Sequence, residues 1–254
     1  MFSTKTIELK SAKEIGLMRE AGAIVAGTLK LLAAAAQPGT TTLELDKLAA
    51  SELAKKKAKP AFLGYHGFPG CLCVSINQEV VHGIPSAKRK LAEGDIVGLD
   101  FGCIVGGFYA DSAVTAAVGK IPASTQKLVD VTRESLSMGI DQMRPGARLG
   151  DVSAAVQKHV EANGFSIVRD FVGHGIGRAL HEDPPVPNFG KAGTGMRLQP
   201  GLVLAVEPMV NAGGPEVETL SDGWTAVTKD GSLSAHFEHT IAITENGPEI
   251  LTLC

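Results

Sequence analysis

Leu91-Ala-Glu-Gly-Asp-Ile-Val-Gly-Leu-Asp100 and Leu198-Gln-Pro-Gly-Leu-Val-Leu-Ala-Val-Glu207 decide how this chain folds. Each passes from a glycine turn (Gly94, Gly201) into an apolar run that ends on an acid, and the second follows the first by 107 residues. The same offset carries Gln37-Pro-Gly39 onto Arg144-Pro-Gly146, each followed by a helical pattern. Further on, Asp111-Ser-Ala-Val-Thr aligns by pattern with Glu238-His-Thr-Ile-Ala, after extra residues in the second copy. An internal repeat is weighed before local readings, because it sets the architecture. It predicts one domain of two half-domains, about residues 10–120 and 121–250, related by a pseudo-twofold axis, each contributing two acids.

Those four acids are placed oddly for ordinary surface residues. Asp100 and Glu207 end apolar runs, while Asp111 and Glu238 open β-branched ones, where an unpaired carboxylate is costly to bury. Taken singly, an acid beside a strand is more often an edge residue or a cap partner. Four in symmetric positions, with His174 between Gly173 and Gly175, point instead to cations in the core. Oxygen-rich sets with an imidazole suit hard or borderline divalent ions. Five protein ligands serve two metals if two carboxylates are shared, leaving positions for water and substrate. Such water has its pKa lowered towards about 7, which suits hydrolysis of an amide or phosphate ester.

Composition narrows the class. The chain has 254 residues, 44% of them hydrophobic, and a net charge of −3. It has ample core for one large domain or two small ones, and no basic excess to favour a specific nucleic-acid site. No run approaches the roughly 20 apolar residues that span a bilayer, and the N-terminus lacks a signal-peptide core. Cys71, Cys73, Cys103 and Cys254 are few and irregularly spaced, which argues against a disulfide framework and for a reducing cytoplasm. Cys71-Leu-Cys73 has no second pair at zinc-finger spacing.

Ser11-Ala-Lys-Glu14 reads as a capping box opening a helix to about Ala36. Thr41-Thr-Leu-Glu44 opens a second, ending near Pro60. The second half repeats the plan, with helices from about Ser124 to Met143 and from Asp151 to about Ala162. β-branched, Gly-punctuated runs follow each pair. The result is an α+β protein with helices covering antiparallel sheets. Segment 62–85 reads as a long Gly-rich functional loop, and the basic run 55–59 as a solvated helix end or partner patch.

The runs Phe62-Leu-Gly-Tyr-His-Gly-Phe-Pro69, Val74-Ser-Ile-Asn77, His82-Gly-Ile-Pro85, Leu99-Asp-Phe-Gly102, Val172-Gly-His-Gly-Ile-Gly177, His181-Glu182, Val206-Glu-Pro-Met209, Asp222-Gly-Trp224 and Phe237-Glu-His-Thr240 resemble type I methionine aminopeptidase, in order and spacing. The resemblance runs from about Lys10 to about Leu251 and implies the pita-bread fold. It implies that Asp111, His174, Glu207 and Glu238 surround one divalent ion (Co, Mn, Fe or Zn). Asp100, Asp111 and Glu238 then hold a second. It makes Glu207 the proton shuttle for the attacking water, and has His174 polarise the scissile carbonyl through its metal. His181 and His82 flank the peptide, with Tyr65, Phe68, Cys73, Leu180 and Trp224 lining an apolar slot for the methionine side chain. Leu180 departs from an aromatic common there. Asn77 and Ser234 match positions holding a monovalent cation in relatives. The remaining histidines, His66, His159, His236 and His239, are read as structural.

The function so implied is removal of the initiator methionine from nascent polypeptide N-termini when the second residue is small. The expected protein is a cytoplasmic monomer without membrane attachment, and whether run 55–59 contacts the ribosome is left open by the sequence. The main rival is a prolidase or Xaa-Pro aminopeptidase with the same five ligands, although those enzymes usually carry a large extra N-terminal domain. A second is a catalytically dead binding module, in which ligands have generally been lost.

Overall fold

The computed structural model describes residues 7–253; Cys254 lies outside them. Ser11 accepts from the backbone N–H of Glu14, and the Glu14 carboxylate accepts from the Ser11 N–H at 2.8 Å, so helix α1 (Ala12–Ala35) starts on the expected capping box. Thr41 and Glu44 do the same for α2 (Thr42–Lys56). That helix stops earlier than its composition suggests, because Lys57 turns left-handed (φ 55°) and Lys59–Pro60 pairs as strand β1. In the second half, α3 covers Ala123–Ile140 and α4 covers Leu149–Ala162. Asp151 is not the first residue of α4; it sits one turn in and accepts from the N–H of Arg148.

The strands after β1 are β2 (Leu72–Ile76), β3 (Glu79–Val81), β4 (Ile96–Val105) and β5 (Phe108–Ala117). The second half adds β6 (Ser166–Ile167), β7 (Gly173–Gly175), β8 (Glu182–Val186), β9 (Val203–Val206) and β10 (Met209–Asn211). It ends with β11 (Val217–Thr219), β12 (Ala226–Thr228), β13 (Ser234–His236), β14 (His239–Thr244) and β15 (Gly247–Ile250). All pair antiparallel: β4 with β1, β2 and β5 in one sheet, and β15-β14-β9-β7-β8 in the largest of the others. Segment 62–85 is thus only in part a loop. Leu72, Cys73 and Val74 are buried core of β2, and β3 joins β12 across the molecule.

One apolar core lies between α1, α2 and the β4–β5 hairpin, centred on Leu32, Leu72, Leu99 and Phe101. Another lies under α3 and α4, centred on Leu128, Met143, Val156 and Ile241. Each of these buried side chains contributes about 1.5–3 kcal/mol. The cores leave a seam between the halves, and hydroxyls cross it. Thr115 Oγ1 donates to the carbonyl of His236 (2.8 Å), Ser112 Oγ donates to that of Glu238, and Thr240 Oγ1 donates to that of Asp111 (2.7 Å). Ala113 and Glu238 form an antiparallel bridge there. Among the described residues no helix is long and apolar enough to cross a membrane.

The ladders correct one alignment. Moving 107 residues on from Gly102 gives Met209, and while Gly102 pairs with Asp111, Met209 pairs with His236. Asp111 therefore matches His236 in register, two residues before Glu238. The ladder is interrupted between Val206–His239 and Met209–His236, where Pro208 has no N–H to give, and both glutamates sit in that interruption.

Candidate metal centre

Directly opposed residues of an antiparallel pair share a face, as do residues two apart. Asp100 opposes Ala113 and Gly102 opposes Asp111, so the two aspartates project from one face of the β4–β5 hairpin as diagonal neighbours. A side chain at Gly102 would be tight, since a Cβ there would lie 3.1 Å from that of Asp111 and 3.0 Å from the Phe62 ring. From the other half, β7 brings His174 between two strands. A Cβ on Gly173 would meet the Ala205 carbonyl oxygen at 2.3 Å, and one on Gly175 would meet that of Asp183 at 2.3 Å. The flanking glycines allow β8 and β9 to close on the histidine from both sides.

All five residues line one cavity of about 170 Å³. Ligating atoms of Asp111, His174 and Glu238, all buried, lie within 4.8 Å of one another. His174 Nδ1 is 2.9 Å from the Gly175 carbonyl, which can only accept, so Nδ1 carries the proton. The Nε2 lone pair then faces Glu207 Oε1 at 3.5 Å and Asp111 Oδ2 at 3.8 Å. Burial drives the His174 pKa down to about 4, keeping the ring neutral.

The acids are strained in the opposite sense. Burial pushes Asp111 up to about 6. Burial and then the neighbouring carboxylates push Asp100, Glu207 and Glu238 well above the usual range. Asp100 Oδ1 is buried without a hydrogen-bond partner. Buried Asp111 and Glu238, half-buried Asp100 and Glu207, an orphaned oxygen and an imidazole lone pair aimed at two of the acids form a donor set that divalent cations satisfy.

The other expected residues reach the same cavity. His82 has a left-handed backbone (φ 62°), and its ring packs edge-on to Phe171 at 5.5 Å. The His181 ring lies edge-on to the His174 ring at 4.3 Å, and its Nδ1 is 2.6 Å from the Tyr65 hydroxyl. Burial lowers both His82 and His181 to about 4. Phe68 meets Trp224 edge-on at 5.1 Å, and Tyr65, Cys73 and Leu180 complete the apolar wall. Asp222 holds Trp224 in place by accepting from the N–H groups of Trp224 and Thr225.

Asn77 and Ser234 meet elsewhere. Asn77 uses its side chain on Asp95 and Ile96, and its carbonyl accepts from the Ser234 N–H at 2.9 Å. Some contributors escaped the sequence reading. Phe62, Val81, Phe171 and Val172 line the cavity, and His236, read as structural, lies buried with Nε2 unpartnered, 3.8 Å from Glu207 Oε2. His236 is two residues before Glu238 on an extended run, the spacing that puts both on one side.

Antiparallel sheets joined at a seam, with a buried acid–imidazole cluster in it, define a metal-dependent hydrolase of the pita-bread type. Residues 16–245 match the model of metallopeptidase family M24, and the chain belongs to that family. Within it, the relatives that match end to end are methionine aminopeptidases. A Clostridium perfringens protein of that name is 54% identical over 97% of this chain and 99% of its own. The crystal structure of methionine aminopeptidase from Thermotoga maritima superposes with a TM-score of 0.97 at 49% identity, covering 98% of this chain and all of that one. An Xaa-Pro dipeptidase from Bacillus anthracis shares the fold at a TM-score of 0.76 and 22% identity, but this chain covers only 61% of it.

Proposed function

We propose that this chain removes the N-terminal methionine from polypeptides whose second residue is small, as a single catalytic unit built from halves of about residues 10–120 and 121–250. The observation that carries the reading is the His174 Nε2 lone pair facing the buried Asp111 and half-buried Glu207 carboxylates. Asp111, His174, Glu207 and Glu238 would hold one divalent ion, and Asp100, Asp111 and Glu238 the other. When bound, such ions supply Lewis acidity and make water acidic enough to be a nucleophile near neutral pH. The donor set suits Co, Mn, Fe or Zn.

The chain's own groups do the rest. Glu207, its carboxyl already raised by burial, takes the proton of the attacking water and returns it to the leaving amine nitrogen. His181 is oriented by Tyr65 and presents its other nitrogen to the peptide, while His82 serves the P1′ side. Asp100, with one oxygen unpartnered, draws the substrate's free α-amino group towards its end of the cavity. His236 lies beside the second Glu207 oxygen, 3.8 Å away and without a hydrogen bond to it. The slot formed by Phe68, Cys73, Leu180 and Trp224 takes a flexible thioether, which packs well on aromatic edges. At the Asn77–Ser234 contact the Asn77 carbonyl accepts from the Ser234 N–H and the Val210 carbonyl from its hydroxyl, and a monovalent cation would lie beside these oxygens. A monomer acting in the cytoplasm on nascent chains, with run 55–59 towards the ribosome, completes the reading.

Chelator-stripped protein with added Mn or Co is expected to release methionine from Met-Ala-Ser, at least tenfold faster than from Met-Lys-Ser, and to leave Ala-Pro-Ser intact. Cleavage of the proline peptide instead would move the chain to the prolidase side of the fold. Binding of metal without cleavage of either peptide would favour a binding module. Replacing Leu180 by Phe should change kcat/KM for Met-Ala-Ser by no more than about tenfold, since one apolar contact is worth about 1 kcal/mol. Steady-state assays of norleucine and methionine peptides would show a larger change as evidence that the slot is built differently.

A further inference from the structure

Leu180 and His181 ride on a short turn, residues 177–182, between β7 and the start of β8. Two of its amides, those of Arg178 and Ala179, are satisfied by one carboxylate oxygen, Glu182 Oε1, at 2.7 and 3.1 Å. The other oxygen, Oε2, accepts from Lys10 Nζ at 2.5 Å, across 172 residues of chain. The Lys10 side chain is 2% exposed. Its backbone N–H donates to the Gly201 carbonyl at 2.6 Å, fixing the segment before α1 against the second half. Gly177 makes room for the stem, since a Cβ there would lie 2.2 Å from Lys10 Cε. Arg178 reinforces the attachment by reaching Glu8 at 2.9 Å, pairing with Glu14 of α1 and lying over the Phe108 ring.

A buried ion pair is seldom more stabilising than an apolar pair of equal volume, so stability alone is a weak reason for one here. Geometry gives a better one. The pair joins the segment before α1 to the turn bearing one wall of the substrate slot and one of its two flanking histidines. Small displacements of such groups cost about a hundredfold in rate. We propose that Lys10, acting through Glu182, is a positioning residue that holds Leu180 and His181 in place at the candidate site. The part of the test that reads activity rests on the aminopeptidase reading; the part that reads backbone order does not.

The test uses the full-length, Mn-loaded protein and compares Lys10→Met with the double variant Lys10→Met/Glu182→Gln. The double variant leaves no unpaired buried charge, and its Gln can still cap the turn, so it carries the test if the single variant folds poorly. Expected in the folded double variant is at least fivefold faster amide hydrogen exchange across 177–182, with exchange in β4 and β5 unchanged. On Met-Ala-Ser, kcat should fall at least tenfold while Mn affinity by calorimetry stays within twofold. In a His181→Ala background, Lys10→Met should cost less than twofold more. Wild-type exchange in the double variant, or a full tenfold loss that multiplies with His181→Ala, would overturn the proposal. If the wild-type protein released no methionine, the aminopeptidase reading would fail, and exchange would decide the positioning role alone.

Discussion

Glu207→Ala is expected to abolish methionine release, and Glu207→Gln to lower kcat by about 10²–10⁴, the usual contribution of a positioned general acid–base. The two variants separate the residue's two candidate duties. Alanine removes both an oxygen that faces His174 Nε2 at 3.5 Å and the group that moves the proton. Glutamine keeps an oxygen at that place but cannot be protonated and deprotonated. Single-turnover assays on Met-Ala-Ser, with metal content measured on the same samples, distinguish the cases. A glutamine variant that binds metal and retains more than a few per cent of wild-type kcat would remove Glu207 from proton transfer.

Stripping divalent ions should lower the melting temperature, and the rise on adding Mn back should grow with pH between about 4 and 7.5. The acids have raised pKa values, so the ion-free folded chain keeps protons that the unfolded chain has released. That lowers stability as pH rises from about 4, the ordinary carboxylate value, through about 6 for Asp111, and further for its neighbours. Buried neutral histidines such as His82 and His239 have the opposite slope, losing stability as pH falls from about 6.5 towards about 4. Those terms are common to loaded and stripped protein, so the difference between the two isolates the acids. Cations must displace their protons, which is easier at higher pH. A metal-induced shift that is flat or falls with pH, read by scanning calorimetry, would mean that the acids do not hold the ions.

Much of this architecture was legible in the chain because its signals are local. Ser11–Glu14 and Thr41–Glu44 announce helix starts through side chains three residues apart, and both capping boxes are present. The acids stood out because carboxylates beside core strands conflict with burial, and all four reach one cavity with His174. What was missed depends on tertiary context. Lys57 ends α2 by turning left-handed, which nothing in a lysine-rich run announces. The register that equates Asp111 with His236 is a matter of strand pairing, which pattern matching cannot see. Phe62 and Phe171 resemble any core aromatic until the cavity they face is known, and His236 gives itself away only through the oxygen of Glu207 beside it.

The bridge between Ala113 and Glu238 has a consequence for how such a protein can change over time. Glu238 takes its place from the backbone of Ala113 in the opposite half, and Asp111 is gripped by Thr240 from across the seam. Neither half owns its acids outright. A substitution that shifts one hairpin is therefore felt by acids encoded more than a hundred residues away. At the seam, a change on one side calls for a matching change on the other.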